Sequence, residues 1–350
     1  HVYEAESVAG GVLYWGIPEY RLPKEVLAKE VKAIEQSGVN IHCNVRIGEA
    51  ISFEELKNQS DAVYVAIGTQ QSRTLGIPGE DLPGVENGLI FLKRIGLKQS
   101  FSVPERLVVI GGGSTAMDVA RTAVRLGSKE VTVVYRRTER EMPAGAEEVK
   151  EAREEGIRII TLASPVRITE KDGAVCGIEL VKRQLTDYGP DGRRRSAHIE
   201  GSEFLLECDG IITAINQDVD HKFHQTTQLD FDRKGRIDVH QFTSRTSEEG
   251  VFAGGDTSPW GANVAVNAIA DGKKAAVNID KYLGGSGELN MGEWLEIPVI
   301  PDMEVTEPHM RFPVRTLPVD ERIDNFKEVA CGFHKLDAIG EAFRCLHCDR

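Results

Sequence analysis

This 350-residue sequence has few cysteines, no long apolar run and fewer basic than acidic residues. Six cysteines, of which only Cys345 and Cys348 are close neighbours, make no disulfide framework and fit a reducing cytoplasm. No apolar run approaches membrane-spanning length, and no signal peptide is recognisable at the start. The net charge of −13 argues against nucleic acid or an anionic membrane as the main partner. We therefore expect a cytoplasmic protein that neither binds nucleic acid nor inserts into a membrane.

The most informative motif is a glycine turn between a strand and a helix. Four apolar residues at 107–110 lead into Gly111-Gly112-Gly113, a helical run follows, and 131–135 reads as a second strand. Such a turn lets the backbone approach a pyrophosphate, and the helix start offers free N–H groups to it. The sequence therefore predicts a dinucleotide-binding unit, although a structural turn without a ligand would have the same pattern. The candidate contacts are Gly111, Gly113, Ser114 and Thr115.

The second strand of this unit ends in Arg136 and Arg137 rather than in an acid. An acid at this position would bind the adenosine ribose of NAD, whereas arginine accommodates the 2′-phosphate of NADP. The pair therefore favours NADPH. The alternative is a solvated strand end, and the nearby Glu139 and Glu141 leave NADH possible.

Three further segments resemble parts of a second dinucleotide fold. The sequence begins with a short predicted strand that ends at Glu4. In a dinucleotide fold such an acid follows a first strand, a glycine loop and a helix, so we expect these elements to precede residue 1 or to come from a partner chain. Residues 62–67 read as a buried strand ending at Gly68 and Thr69. Residues 250–256 read as a strand with a glycine turn closing on Asp256, and a long helix is predicted from Gly261 to about 283. Asp256 could alternatively be a helix-capping or turn aspartate.

Together these motifs resemble the two-dinucleotide flavoprotein family of the glutamate synthase small subunit, over almost all of residues 1–284. The resemblance is carried by the segments at 16–23, 111–118, 135–143 and 251–256. It implies FAD bound between an N-terminal and a C-terminal half, with an NADPH domain inserted between them, and hydride transfer from nicotinamide to flavin. No catalytic acid or base is then needed. The residues implied for FAD are Glu4, Gly10, Gly11, Arg21, Leu22, Gly68, Thr69, Gly255, Asp256, Val264, Ala265 and Val266.

The expected fold class is α/β, with two Rossmann-like dinucleotide-binding domains and the NADPH domain inserted into the FAD domain. The expected boundaries are 1–100 for the first part of the FAD domain, 101–234 for the NAD(P)H domain, 235–285 for the second part of the FAD domain, and 286–350 for an extended tail. The N-terminal part of the FAD domain is expected to be missing. Residues 1–350 alone are then expected to bind FAD poorly, because the absent loop would supply phosphate contacts.

The tail carries prolines from Pro298 to Pro318, a predicted short helix at about 335–343, and then Cys345 and Cys348. Two cysteines at this spacing can bind one iron–sulfur cluster, which we expect to be of the 4Fe–4S type with its remaining ligands from outside the chain. A free thiol pair, a disulfide and half of a zinc site are the alternatives. The tail is similar to those of iron–sulfur flavoprotein modules in larger electron-transfer and electron-bifurcating complexes.

The predicted function is therefore that of a flavoprotein oxidoreductase module. It would transfer hydride between NADPH and FAD and exchange electrons with iron–sulfur clusters of partner subunits or domains. A glutamate synthase small subunit is one alternative, and a non-catalytic assembly subunit that retains the fold is the other.

Overall fold

The computed structural model describes residues 1–189, 192–215, 217–261, 264–288 and 310–343. Its strands are β1 (Val2–Tyr3), β2 (Ile41–His42), β3 (Val63–Val65), β4 (Gln71–Ser72), β5 (Val85–Asn87), β6 (Arg106–Ile110), β7 (Glu130–Tyr135), β8 (Arg158–Thr161), β9 (Ala163–Lys171), β10 (Ala174–Tyr188), β11 (Arg194–Glu207), β12 (Gly210–Thr213), β13 (Gln217–Asp218), β14 (Val251–Ala253), β15 (Arg315–Thr316) and β16 (Ala330–Gly332). Its α-helices are α1 (Gly11–Trp15), α2 (Lys24–Gln36), α3 (Phe53–Asn58), α4 (Gly88–Gly96), α5 (Ser114–Arg125), α6 (Ala146–Glu154), α7 (His221–His224), α8 (Ala265–Tyr282), α9 (Val319–Arg322) and α10 (Lys335–Phe343).

A five-stranded parallel sheet forms the centre of the predicted NAD(P)H domain, residues 101–234, which we call the nucleotide unit. Its strands lie in the order β5-β12-β6-β7-β8, and every neighbouring pair is parallel. The crossover from β6 to β7 is α5, as the strand–glycine–helix–strand pattern predicted. The carboxyl ends of β6 and β7 therefore lie side by side at one edge of the sheet, where ligands of such folds bind.

The two faces of this sheet are covered differently. Along β6, Leu107 and Val109 contribute to an apolar cluster with α4, α5 and α6, whereas Val108 and Ile110 pack with the apolar residues of β10. This alternation follows from the two-residue period of a strand. Strands β9, β10 and β11 form an antiparallel meander over the second face, so the sheet is buried between helices and a second sheet.

The segments before and after the nucleotide unit pair with each other. Strand β3 is parallel to β14, with Val63 opposite Val251, and β1 is parallel to β2. Phe53, Val65 and Phe223 are buried in the apolar cluster that these segments share. The two-domain Rossmann arrangement with an inserted nucleotide unit is therefore confirmed, whereas the exact domain boundaries stay predictions.

Part of the C-terminal tail folds back onto the molecule. Strands β15 and β16 pair, and the amide N–H of Val329 donates to the carbonyl of Tyr20 at 2.9 Å. The ring of Phe326 lies 6.3 Å from that of Tyr20. Arg322 and Val329 of the tail are buried, so this part of the tail packs on the molecule. The predicted short helix corresponds to α10, which has no buried residue.

Candidate nucleotide and flavin site

The glycine loop after β6 is shaped by close backbone contacts. A Cβ on Gly111 would collide with the carbonyl oxygen of Ala214, and one on Gly112 would collide with the ring of Tyr135. Gly113 caps α5, and the nearest heavy atom to a Cβ at that position would be 4.0 Å away. The loop is therefore a cradle that requires glycine at positions 111 and 112, with the first-turn N–H groups of α5 at its rim.

The two hydroxyl residues at the start of α5 are tied to neighbouring elements. The hydroxyl of Ser114 donates to Glu148 at 3.0 Å, and the Gln217 side-chain amide donates to the Thr115 hydroxyl at 3.4 Å. These bonds fix the entrance of the cradle. The structure thus brings together all four residues that the sequence assigned to the pyrophosphate.

The arginines that follow β7 differ in burial. Arg136 is exposed, whereas Arg137 is only 9 % exposed and its Nε is buried without a hydrogen-bond partner. Burial and the nearby charges of Arg136 and Arg137 lower the pKa of Arg183, which belongs to β10. Backbone hydrogen bonds from Leu162 to Arg137 and from Arg183 to Leu162 place Arg183 on the segment next but one to Arg137. Sequence reasoning missed Arg183 because it comes 46 positions after Arg137 on an unrelated strand.

On the flavin side, Glu4 directly follows β1. Its backbone N–H donates to His42 at 2.9 Å, and its carboxylate accepts from the backbone of Glu6 at 2.8 Å. Gly10 and Gly11, both with positive φ, begin α1. Glu4 and this glycine turn thus belong to the same N-terminal segment, and their contact with FAD stays a prediction.

The turns after β3 and β14 lie at one edge because these strands are parallel neighbours. Gly68 has positive φ, and Thr69 is buried. Gly255 and Asp256 lie in a short 3₁₀ turn, where the Gly255 N–H donates to Asp271 at 3.0 Å. The two predicted contact regions, far apart in sequence, are thereby brought to the same side of the fold.

Helix α8 begins later than predicted, at Ala265. Val264 is its N-cap residue, and Val264 and Val266 are 51 % and 65 % exposed. The first turn of a helix has backbone N–H groups without intrahelical acceptors. Val264, Ala265 and Val266 therefore form an exposed helix start, and their contact with the flavin stays a prediction.

Arg21 joins the flavin-side segment to the nucleotide helix. Its Nη1 lies 2.8 Å from both carboxylate oxygens of Asp118, and its Nη2 lies 2.7 Å from Glu148. Burial raises the pKa of Asp118 to about 6, even though the charge of Arg21 opposes the shift. The next residue, Leu22, donates its N–H to Pro18 at 3.0 Å. Arg21 thus positions the 16–23 segment against α5.

A buried charge cluster lies behind this junction. The Glu155 carboxylate is fully buried and accepts hydrogen bonds from Arg121, Arg125 and Arg322 at 2.7 to 3.0 Å. Burial raises the pKa of Glu155, but the hydrogen bonds and charges of the arginines outweigh it and lower the pKa to about 2. We call Glu155 and its three arginines the Glu155 cluster; Arg322 reaches it from α9 of the tail.

Cys345 and Cys348 lie outside the described residues. Within the described ranges, no group of three or more His, Cys, Asp or Glu side chains could hold a metal ion. Cys43, Cys176, Cys208 and Cys331 are free thiols. In that same part of the chain, no helix is long and apolar enough to cross a membrane.

The fold and the site define an α/β oxidoreductase class that combines a nucleotide unit with a second Rossmann-like domain. Residues 25–272 match the pyridine nucleotide-disulphide oxidoreductase family model, and the chain belongs to this family. This confirms the predicted NAD(P)H-dependent flavoprotein oxidoreductase.

Two relatives and one solved structure place the chain more closely. It is 39 % identical to the NADP(+)-dependent formate dehydrogenase subunit beta of Moorella thermoacetica, over 100 % of this chain and 51 % of that protein. It is 34 % identical to the glutamate synthase [NADPH] small chain of Escherichia coli, over 81 % of this chain and 63 % of that one. The chain thus spans about half to two thirds of these relatives. FprA of Mycobacterium tuberculosis in complex with NADPH shares the fold, with a TM-score of 0.68 at 22 % identity over 81 % of this chain and 77 % of that one.

Proposed function

We propose that this chain is the NADPH- and FAD-binding module of a larger electron-transfer protein. The observation that carries the proposal is the group of Arg136, Arg137 and Arg183 beside the glycine cradle, because it provides positive charge where a 2′-phosphate would lie. The buried, unpartnered Nε of Arg137 fits the same ligand, since a buried donor without an acceptor is costly.

Each half of the site has a separate task. Gly111 and Gly113 with the start of α5 bind the pyrophosphate of NADPH, and Arg136 and Arg137 bind its 2′-phosphate. For FAD, Glu4 binds the ribose and Asp256 the ribityl chain. FAD held by these residues would supply the redox chemistry, because a flavin can take a hydride from a nicotinamide and pass electrons on one at a time. Arg21 holds the flavin-side segment against α5, and so the chain positions the two cofactors rather than supplying an acid or base.

The remaining residues assigned to FAD form the walls of its site. The glycine turns allow the backbone to approach the cofactor closely, and the exposed N–H groups at the start of α8 are donors for the flavin ring. These residues are Gly10, Gly11, Leu22, Gly68, Thr69, Gly255, Val264, Ala265 and Val266.

We further propose that electrons leave the flavin for an iron–sulfur cluster bound in part by Cys345 and Cys348, with partner subunits or domains carrying further clusters. The Moorella relative is a formate dehydrogenase subunit that aligns with the whole chain, tail included, whereas the glutamate synthase small chain aligns with 81 % of it. This difference favours an electron-transfer complex over glutamate synthase. We place this complex in the cytoplasm, because the six cysteines form no disulfide framework and fit a reducing compartment.

The nucleotide assignment is tested with the Arg136→Ala/Arg137→Ala double variant of the full-length protein, supplied with FAD. Wild type should oxidise NADPH in preference to NADH, and the variant should lose that preference. Each lost contact to a phosphate costs about 1.5–3 kcal/mol, as for a hydrogen bond to a charged group. The control is Lys171→Ala, which removes an exposed charge at the far end of β9. Preference of wild type for NADH would contradict the proposal.

The same protein separates the rival functions. A flavin absorbance band that bleaches on addition of NADPH identifies an active flavoprotein, whereas a colourless protein that stays colourless with added FAD identifies an assembly subunit. Formation of glutamate with a partner amidotransferase chain would identify glutamate synthase.

A further inference from the structure

Arg183 is brought to the end of β7 by a ladder of backbone hydrogen bonds. The N–H of Leu162 donates to the carbonyl of Arg137 at 3.1 Å, and the N–H of Arg183 donates to the carbonyl of Leu162 at 2.7 Å. Arg137 and Arg183 therefore flank Leu162 on adjacent chain segments. The antiparallel meander thus contributes a side chain to a site that otherwise belongs to the parallel sheet.

The Arg183 guanidinium is fixed by neutral acceptors alone. Its Nε donates to the hydroxyl of Ser196 at 2.8 Å, its Nη1 donates to the hydroxyl of Ser164 at 3.0 Å, and its Nη2 donates to the backbone carbonyl of Ser196. A guanidinium has five N–H donors. Within the described residues, two donors of Arg183 are left for another acceptor, and no carboxylate is paired with the group.

The surroundings of Arg183 are positive. Arg136 and Arg137 contribute like charge, and the Arg137 side chain is nine-tenths buried with an unpartnered Nε. Keeping three cations together without an anion is unfavourable. A phosphate dianion would remove the repulsion and satisfy the remaining donors, since guanidinium matches phosphate geometrically.

We propose that Arg183 is a third arginine of the 2′-phosphate site, held in its binding orientation by Ser164 and Ser196. The inference rests on the proposed NADPH-binding function and deepens it: selectivity for a 2′-phosphorylated nucleotide is shared between the end of β7 and the meander. Arg183 contacts the phosphate, and the two serines are positioning residues.

Nucleotide fragments test this without loaded flavin. The affinities for 2′,5′-ADP, which carries the 2′-phosphate, and for 5′-AMP, which lacks it, are measured by calorimetry. Arg183→Gln should weaken 2′,5′-ADP at least tenfold and leave 5′-AMP within twofold, since one charge-assisted contact is lost. The matched control is Lys182→Gln, which removes the exposed neighbouring cation and should leave both affinities within twofold.

The Ser164→Ala/Ser196→Ala variant keeps the charge of Arg183 and releases its side chain. It should weaken 2′,5′-ADP about threefold to tenfold, again without affecting 5′-AMP. This variant decides the question if Arg183→Gln does not fold, as judged by its circular dichroism spectrum.

Three outcomes would overturn the inference. If Arg183→Gln leaves 2′,5′-ADP within twofold while Arg136→Ala/Arg137→Ala weakens it, the role of Arg183 is refuted and the proposed function stands. Equal weakening of both fragments by Arg183→Gln would indicate general damage to the nucleotide unit and would also refute a 2′-phosphate role. Equal affinity of the wild type for 2′,5′-ADP and for 5′-AMP, which differs from it by the 2′-phosphate alone, would instead contradict NADPH preference itself.

Discussion

Replacing Glu155 by Gln tests how strongly the buried charges bind the tail to the nucleotide unit. The amide keeps the shape of the side chain and removes the only charge that Arg121, Arg125 and Arg322 share. The side chains of Arg121, Arg125 and Arg322 are 2 %, 0 % and 1 % exposed, so water cannot solvate them in the folded state. Arg121 and Arg322 keep a second carboxylate partner, Glu151 at 2.6 Å and Glu154 at 2.8 Å. Arg125 is paired with Glu155 alone among the described residues, so the variant leaves this buried cation without an anion.

The magnitude follows from two independent arguments. Lowering the carboxyl pKa from its ordinary 4.5 to about 2 corresponds to about 3 kcal/mol of stability at neutral pH. Removal of one partner from a buried ion pair costs about 3–5 kcal/mol. We therefore expect Glu155→Gln to lower the free energy of unfolding by about 3–5 kcal/mol. Because the pKa of Glu155 is lowered on folding, its contribution is present above about pH 4.5 and is lost as the pH falls towards 2.

Urea unfolding followed by circular dichroism at pH 7 measures this difference. Glu105→Gln is the matched control, since Glu105 pairs with Lys129 at 2.7 Å and both side chains are 68 % exposed. An exposed pair contributes at most about 1 kcal/mol. A loss below 1 kcal/mol for Glu155→Gln, equal to that of the control, would refute the claim that the Glu155 cluster stabilises the fold.

Three further predictions concern the site. Burial raises the pKa of Asp118 to about 6, so the contribution of this group to stability is full below about pH 4 and is lost as the pH rises through 6. The wild type should therefore lose about 3 kcal/mol of unfolding free energy between pH 4 and pH 8 through this group, and Asp118→Asn should not. Unfolding curves at the two pH values measure the difference. Gly111→Ala should lower the melting temperature by several degrees because its Cβ would meet a backbone carbonyl, whereas Gly113→Ala should not; equal shifts would contradict the cradle geometry. Cys345→Ser/Cys348→Ser should lower the iron content of the full-length protein and weaken the electron paramagnetic resonance signal of the cluster. NADPH-dependent flavin reduction should be unaffected. An unchanged iron content would exclude the cluster.

Local patterns in the sequence were sufficient to predict the nucleotide unit. The glycine turn, the apolar strands on either side of it and the arginines after the second strand each act within a few residues, and the structure places them together at one sheet edge. The helix predicted at 335–343 is α10. Helix α8 was predicted four residues too early, since Gly261 packs against the backbone of Gly255 instead of starting the helix.

Contacts between distant segments could not be predicted in this way. Arg322 pairs with Glu155 across 167 positions, and Arg21 pairs with Asp118 across 97. A charged residue in a sequence has many potential partners, and only the packed fold selects one. Arg183 was missed for the same reason, because nothing in the local pattern of β10 indicates that it lies beside Arg137.

The Glu155 cluster also determines how the molecule can move. The ring of Tyr20 packs against Arg125, whose Cζ lies 4.0 Å from the ring centroid. The carbonyl of Tyr20 accepts a hydrogen bond from the N–H of Val329 in the tail. Three stretches of the chain therefore share one desolvated junction, and separating any of them would expose charges that depend on the others. Hydrogen exchange in this junction should proceed as a single opening event. The tail, the segment around Tyr20 and the nucleotide unit are consequently expected to open together rather than one at a time.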